Sequence, residues 1–244
     1  MPDRLNTSDA NRGLLGRDID EVQRIFHCAK SGVLRLVAGQ GFAFSRRVPV
    51  CLSRHGELLV LIRDDRPHAH LVLANVQVCL VLNCAATALS IECPGQLRLV
   101  DPGDEASMDR AYRYHGGSIL NTAKGRLRLY HLELAGSIRL LRPNQEPQSM
   151  AHRMERNPGI VPREETALLH LANTPEVPIR RWLAAGLGKP SSHLTVVGID
   201  THGLDVRMAD GDFHRIRFPE AQTCSADIRR WLWSEPDPKQ AVSL

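Results

Sequence analysis

The order of apolar and polar residues predicts a helix followed by a series of short strands. From residue 18 onward, Ile19, Val22 and Ile25 recur at the three- and four-residue spacing of an amphipathic helix. Strand-like apolar runs then alternate with turns rich in glycine, proline and charged residues, at residues 33–38, 44–53, 58–63, 76–83, 88–99, 125–134 and 137–141. Helical spacing returns at residues 105–115. Many short strands with only two clear helices among them predict an antiparallel β-barrel rather than an alternating parallel sheet.

The second half of the chain has a different pattern. Prolines among polar residues predict a linker, after which a helical segment, three strand-like runs and a closing helix form a small α+β unit. The predicted organisation is a flexible lead (1–17), a barrel domain (18–142), a linker (143–163), an α/β accessory domain (164–235) and a tail (236–244).

Composition excludes several classes of protein. The net charge of +4 comes without a block of five or six like charges, so it does not predict a nucleic-acid partner. No apolar run is long enough to span a bilayer, and the N-terminal residues lack the apolar stretch of a signal peptide. Six cysteines without a CxxC spacing predict free thiols, mostly buried, in a reducing cytoplasm. The absence of a glycine-rich phosphate loop and of a nucleophile motif argues against kinase and hydrolase chemistry.

Three stretches of the sequence resemble the FMN-binding split barrels of the pyridoxamine 5'-phosphate oxidase superfamily, and more narrowly their HugZ-like haem-utilisation branch. Residues 26–50, FHCAKSGVLRLVAGQGFAFSRRVPV, are similar to the family's opening helix, first strand, glycine turn and second strand. Residues 66–82, RPHAHLVLANVQVCLVL, are similar to the segment written His-Thr-Arg-Asn-Leu and then Asp-Pro-Arg. Residues 197–233 resemble the Gly-Ile-Asp-x-x-Gly-Leu-Asp hairpin and terminal helix of the branch's accessory domain.

The resemblance implies an α+β protein: an antiparallel split β-barrel followed by a small α+β domain. It implies a homodimer with a cleft between the two barrels that binds a small flat cofactor, FMN or haem. The implied role is in haem-iron utilisation or a flavin-dependent redox step. If the protein is an enzyme, the resemblance makes it a haem-degrading or flavin-dependent oxidoreductase, with no catalytic residue assigned.

The second stretch departs from the family at its polar positions. His68 falls on the family's histidine, but Ala69, His70 and Leu71 stand where Thr-Arg-Asn is usual. A phosphate dianion needs fixed cations or clustered N–H donors when it leaves water. The loss of the arginine and asparagine therefore favours an alternative function, in which the same fold serves as a cofactor-free binding or regulatory protein.

The second strand keeps part of the family's Ser-x-Val-Pro element. Val48 and Pro49 match, while the serine is either displaced to Ser45 or replaced by Arg46. Ser45, Arg46 and Arg47 would give a cofactor phosphate one hydroxyl and two guanidinium groups. In the alternative interpretation, the two arginines lie on opposite faces of the strand and one of them is only solvated.

Histidine and tyrosine side chains supply the remaining candidates for a flat cofactor. His68 and His70 share one face if their segment is extended and diverge on a helix, and without a third ligand no metal site is expected. Tyr112 and Tyr114, with His115, either stack on a flat ring or close their helix onto the barrel.

His170 is a further candidate, as an axial haem ligand. It and Asn173 remain from a His-Met-Asn-x-Asp-His run that related proteins carry at the start of the accessory domain. Axial ligation requires an unprotonated imidazole aimed at the iron, which His115, His131 or His152 would also supply. The alternative role for His170 is helix capping or packing.

Overall fold

The computed structural model describes residues 18–19, 21–38, 41–53, 55–63, 77–84, 88–101, 103–121, 127–150, 160 and 162–234. The predicted lead, the predicted tail and the segment that carries His68 and His70 lie outside the described residues.

The first part of the chain forms a closed antiparallel β-barrel of six strands. The strands pair in the order β4-β1-β2-β3-β6-β5, and β5 pairs with β4 to close the sheet. This arrangement confirms the predicted fold class. The elements are α1 (residues 21–28), β1 (Ser31–Ala38), β2 (Gly41–Leu52), β3 (Leu58–Arg63), β4 (Gln77–Cys84), β5 (Leu89–Leu99), α2 (Glu105–Asn121) and β6 (Leu127–Leu134).

Two further strands extend the barrel sheet from β5. β7 (Ile138–Leu141) pairs with the first part of β5, and β8 (Gln148–Met150) pairs with β7. β8 lies within the range that the sequence predicts as a linker, because three residues between prolines and polar residues give too short a pattern to recognise.

The barrel strands bury apolar side chains on two sides, which explains their continuous apolar runs. In β3, Leu58, Val60 and Ile62 belong to the interior core, while Leu59 and Leu61 belong to a separate cluster on the outer face. Alternate residues of a strand point to opposite faces, so a run of five apolar residues requires a cover on each face. Burial of each such side chain contributes about 1.5–3 kcal/mol.

The C-terminal part is a three-stranded antiparallel sheet with helices packed on it. The strand order is β11-β10-β9, and a buried apolar core joins the sheet to the helices. Its elements are α3 (Pro162–Ala172), α4 (Pro178–Leu187), β9 (Leu194–Asp200), β10 (Gly203–Met208), β11 (Phe213–Arg217) and α5 (Ser225–Trp233). The predicted helices, three strands and closing helix are therefore all present.

Helix α2 and the outer face of the barrel connect the two parts. Ala111 and Tyr114 of α2 pack with Leu59 and Leu61 of the barrel and with Val197 of β9 in one buried cluster. The outer apolar face of β3 is therefore covered from within the same chain.

All six cysteines are free thiols, and Cys51, Cys79 and Cys93 are buried. Burial raises the pKa of Cys51 to about 12, which makes this thiol unreactive at neutral pH. Among the described residues, no helix combines the length and the apolar character needed to cross a membrane.

Candidate functional site

A cleft opens where two neighbouring barrel strands separate. β2 pairs with β3 only through the three positions from Val50 to Leu52, although both strands continue beyond this pairing. β2 continues toward its start alongside β1, and β3 continues alongside β6. The two strands therefore diverge on one side of the barrel. The space between them, lined by residues 46–49 of β2 and 61–63 of β3, is called here the split cleft.

The split cleft is strongly basic. Five of its lining residues carry a positive charge, and none of the described residues that line it is an aspartate or glutamate. An excess of one charge in a partly enclosed site attracts ligands of the opposite charge. The cations come from α1's C-terminal loop, from β2, from β3 and from β10: Lys30, Arg46, Arg47, Arg63 and Arg207.

Arg46 and Arg47 both line the cleft although they are successive residues of one strand. Arg46 shares the face of β2 that carries Val48 and Val50 into the barrel core, and Arg47 points to the opposite face. Because none of the described strands pairs with this edge of β2 ahead of Val50, both of its faces border the opening. No ion pair between described residues involves either guanidinium.

Apolar and aromatic side chains form the rest of the wall. The cleft has a volume of about 480 Å³, within the range of about 300–1,000 Å³ of small-molecule sites. The rings of Tyr114 and Phe213 stack with centroids 5.7 Å apart, and the ammonium of Lys30 lies 4.6 Å from the centroid of Phe213. Apolar walls with a few fixed charges suit a flat ligand that carries anionic groups at its edge.

His115 also lines the split cleft, and its Nε2 atom is buried without a hydrogen-bond partner. Burial lowers the pKa of His115 to about 4, with smaller contributions in the same direction from Arg207 and Lys30 and an opposing one from the Val50 backbone. The imidazole is therefore neutral at physiological pH. A buried polar atom without a partner costs about 1–3 kcal/mol.

Gly116 interrupts α2 directly after His115. Its φ of 63° and ψ of 175° are not helical, and a φ of this sign is far more accessible to glycine than to other residues. A Cβ at this position would lie 3.0 Å from Nη1 of Arg207, which donates a hydrogen bond to the Arg113 carbonyl at 2.8 Å. The kink therefore lets β10 bring a cation beside His115. The predicted helix 105–115 ends where this kink begins.

The residues of the split cleft fit both cofactors that the sequence resemblance implies. Haem carries two carboxylates and an iron that accepts a neutral imidazole, and FMN carries a phosphate at the end of a flat ring system. The cations would hold the anionic groups of either, and the Tyr114–Phe213 wall would lie against either ring.

The structure brings together some of the residues proposed from sequence. Arg46 and Arg47 line the split cleft, whereas Ser45 is exposed on β2 and is not among the lining residues. His170 is exposed on α3, where its carbonyl accepts a hydrogen bond from Thr174, and it does not line the cleft either. The roles of these residues stay predictions.

No pattern in the sequence singles out Lys30, Arg63 or Arg207 as site residues. Each is a single cation next to a turn or inside a strand, a setting typical of solvated surface residues. Only the divergence of β2 from β3, and the approach of β10, place them around one opening. His115 is one of several histidines in the sequence, and only its unpartnered atom distinguishes it.

Beside the cleft lies a second group of charges with the opposite character, called here the interdomain network. It joins α2 to the C-terminal sheet through three arginines and three carboxylates: Arg110, Arg113, Arg215, Glu165, Asp200 and Asp205. Arg110 binds Glu165 at 2.5 Å, and Arg215 binds Asp205 at 3.0 Å and Asp200 at 2.5 Å. The three positive and three negative charges of this network balance, so the network does not require a bound ligand.

The interdomain network explains the hairpin motif in the third family-like stretch. Asp200 accepts hydrogen bonds from the backbone N–H groups of His202 and Gly203, which fixes the turn. Asp205 accepts a hydrogen bond from the Tyr114 hydroxyl across the interface. A Cβ at Gly198 would lie 2.2 Å from that hydroxyl, so glycine is required there. The motif therefore anchors the C-terminal part to α2.

His27 borders the interdomain network from α1. Its Nδ1 lies 3.8 Å from Asp205, but burial and then Arg215 lower its pKa to about 4 against the opposing effect of Asp205 and Asp200. The ring is therefore neutral at pH 7, and the contact is not an ion pair at that pH. Burial also raises the pKa of Tyr114, which keeps its hydroxyl protonated as a donor to Asp205.

Three solved structures are similar to this chain to different degrees, all at low sequence identity. A protein of unknown function from Agrobacterium tumefaciens, Atu2129, superposes with a TM-score of 0.68 and 15% identity over 88% of this chain and 94% of its own. A heme binding protein from Mycobacterium smegmatis gives 0.44 and 15% over 87% and 93%. Campylobacter jejuni ChuZ gives 0.41 and 12% over 65% and 68%.

At these identities the Agrobacterium structure establishes a shared fold and nothing about a ligand. The other two likenesses have TM-scores below 0.5 and carry no weight in the choice of a ligand. No protein-family model matches the sequence, and no curated protein matches it significantly. The ligand must therefore be inferred from the residues of this chain.

Proposed function

We propose that this protein binds haem or FMN in the split cleft and takes part in haem-iron utilisation or in a flavin-dependent redox step. The observation that carries the proposal is the basic lining of the cleft, where five cations and no described carboxylate surround an apolar, aromatic space. Asp212, beside the cleft, lies 3.9 Å from Lys30, and the excess of positive charge among the lining residues would favour an anionic ligand.

Each group in the cleft has a separate task in this proposal. Arg46 and Arg47 would bind the phosphate of FMN or a propionate of haem through paired N–H donors. Tyr114 and Phe213 would exclude water from one face of the ring. The bound cofactor would supply the redox chemistry, while the protein binds and orients it.

The homodimer and the cytoplasmic location implied by the sequence are part of the same proposal. Within the described residues, the barrel, α2 and β10–β11 of a single chain supply lining residues of the split cleft. A second copy would therefore add to an existing site. Light scattering on the purified protein would give its mass, and a monomer would remove the dimer from the proposal.

Absorption titrations with haemin and with FMN test the proposed function. Wild-type protein is expected to bind at least one of them, seen as a change in the Soret or flavin band, and more weakly at high salt because the site is charged. Arg46→Gln with Arg47→Gln is expected to weaken binding roughly 10-fold or more, as for loss of charge-assisted hydrogen bonds. Arg98→Gln, an exposed arginine on β5 outside the cleft, is the control. A protein that binds neither haemin nor FMN would support the cofactor-free alternative.

A further inference from the structure

We propose that Asp212 is an internal counter-anion of the split cleft: its carboxylate competes with an anionic group of the ligand for the ammonium of Lys30, and ligand binding replaces it there. The inference rests on the proposed function and adds to it a second anion-binding position, formed by Lys30 and Arg207 beside the ring of Phe213. Asp212 thereby favours anions carried on a ring that the cleft also binds over small free anions.

Asp212 lies at the tip of the β10–β11 hairpin, directly beside the cleft. Its chain neighbours Gly211 and Phe213 both line the cleft, as does Arg207, which is paired with Phe213 across the two strands. The carboxylate of Asp212 lies 3.9 Å from the ammonium of Lys30. The hairpin therefore brings one carboxylate to the edge of a cleft whose described lining residues carry no negative charge.

Lys30 is fixed in position, whereas the carboxylate beside it is held loosely. The Lys30 carbonyl accepts a hydrogen bond from the Val50 N–H at 2.9 Å, and the ammonium lies 4.6 Å from the centroid of the Phe213 ring. The distance of 3.9 Å to Asp212 exceeds the length of a hydrogen bond, and the Asp212 side chain is 77% exposed. Exposed ion pairs contribute little to stability, so this carboxylate can be displaced at small cost.

The exchange requires only the side chain of Asp212 to move. The Asp212 carbonyl accepts a hydrogen bond from the Met208 N–H at 2.7 Å, and the Asp212 N–H donates one to the Asp210 carboxylate at 3.1 Å. Both bonds use main-chain atoms of Asp212. Among the described residues, none donates a hydrogen bond to its carboxylate. A rotation of the exposed side chain into water is therefore enough to release Lys30.

The group that takes the place of this carboxylate must itself be anionic. Nη1 of Arg207 donates a hydrogen bond to the Arg113 carbonyl at 2.8 Å, which fixes the guanidinium at the cleft. A carboxylate or phosphate of the ligand would thus meet both Lys30 and Arg207. An anion carried on a ring bound in the cleft has a high effective concentration at this position, as Asp212 has through the chain. A small free anion lacks this advantage, so Asp212 excludes it.

Titrations of Asp212→Asn with haemin and with FMN test the exchange. Removal of the competing charge should tighten binding of whichever of the two the wild type binds by roughly 2- to 5-fold, as expected from an exposed ion pair. Asp210→Asn is the matched control, since it removes the same charge from the same turn but Asp210 is paired with Lys189, outside the described lining. This control should leave the affinity close to that of the wild type.

Uncharged counterparts of the ligands separate the anionic group from the ring. Riboflavin lacks the phosphate of FMN, and the dimethyl ester of haemin lacks its carboxylates. Each should bind Asp212→Asn and wild type alike, because neither has a group that competes with Asp212. Inorganic phosphate should compete with the bound ligand more effectively in Asp212→Asn than in the wild type.

The variant Lys30→Met shows whether the gain acts through Lys30. It should bind the anionic ligand roughly 10-fold or more weakly, because a charge-assisted contact is lost. Addition of Asp212→Asn to Lys30→Met should recover little of this affinity, so the effects of the two substitutions should not add.

The outcomes distinguish this inference from the proposed function. Equal affinities of Asp212→Asn and Asp210→Asn for the ligand would overturn the exchange and leave the proposed function standing. A gain from Asp212→Asn that persists in full in the Lys30→Met background would also overturn the exchange alone. A wild-type protein that binds neither haemin nor FMN would overturn both.

Discussion

The interdomain network and the split cleft lie on either side of Tyr114, and their charges are arranged differently. The network pairs opposite charges, whereas the lining of the cleft carries one sign of charge. In the network, three buried or half-buried arginines face three buried carboxylates, and each group has a partner within the protein. In the split cleft, five cations line an opening without a described carboxylate. Charges that are paired internally hold parts of a fold together, whereas like charges gathered around an opening indicate a ligand of the opposite charge.

The largest expected effect comes from breaking the interdomain network. Arg215→Met leaves Asp200 and Asp205 buried without their main cation and should lower the free energy of unfolding by about 3–5 kcal/mol. Urea denaturation measures this loss. The matched control is Arg98→Met, since Arg98 is an exposed arginine paired with Glu133, and it should change stability by less than about 1 kcal/mol. Equal losses in the two variants would mean that the network does not stabilise the fold.

A steric change at the same interface should have the next largest effect. Gly198→Ala places a methyl group against the Tyr114 hydroxyl and Asp205, which separates α2 from the C-terminal sheet. The expected loss is about 2–4 kcal/mol, from overpacking and a lost buried hydrogen bond. Gly103→Ala is the control, because its nearest neighbour is a side-chain oxygen at 3.4 Å. If both variants unfold at the same urea concentration, the close approach of Tyr114 is not required.

The two buried histidines predict a loss of stability in mild acid. Burial lowers the pKa of His27 and of His115 to about 4, below the value of about 6.5 expected in the unfolded chain. As pH falls from 6.5 to 4, the unfolded state takes up protons that the folded state does not, so stability is lost over this window. The expected loss is about 1–3 kcal/mol for each histidine.

Substituting each histidine in turn shows how much of the stability lost in this pH window arises at the interdomain network and how much at the split cleft. His27→Gln should remove the part that arises beside Asp205, and His115→Gln the part that arises in the cleft. Below pH 4 a further loss is expected, because Arg215 holds the pKa of Asp200 below its ordinary value against the effect of burial. Urea titrations at pH 7, 5.5 and 4 measure these contributions. A wild-type stability that stays flat from pH 7 to 4 would contradict the assigned protonation states.

The smallest effect on stability is expected in the cleft. Arg47→Gln removes an exposed cation that has no ion pair with a described residue, so stability should change by less than about 0.5 kcal/mol. Affinity for an anionic ligand should nevertheless fall several-fold. A large loss of stability in this variant would place Arg47 with the structural charges instead.

Much of the fold could be predicted because it is encoded in local patterns. The apolar run of residues 58–63 and the turn residues around the C-terminal hairpin predict strands wherever the chain forms them. Helix α2 could be predicted up to His115, and the kink at Gly116 depends on a packed arginine from β10. β8 was missed because three residues give no periodicity.

The site was less predictable, since it depends on where strands separate. Arg46 and Arg47 were candidates because a sequence resemblance pointed to them, but their joint access to one cleft depends on an edge of β2 with which no described strand pairs ahead of Val50. Lys30 and Arg207 are about 180 positions apart in the chain and meet only in the folded protein. No local pattern in the sequence predicts that these two side chains come together.

The stabilisation that haemin gives to the folded protein tests the contrast between the two regions most directly. A ligand that binds only the folded state at about 100 times its dissociation constant raises the free energy of unfolding by about 2.7 kcal/mol. We expect an increase of this size in wild type and in Arg98→Met, and about 1.4 kcal/mol or less in the double variant Arg46→Gln/Arg47→Gln at the same haemin concentration, because a 10-fold or greater loss of affinity leaves haemin at no more than about 10 times the dissociation constant. An equal increase in the double variant would show that the cations of the split cleft do not hold the ligand.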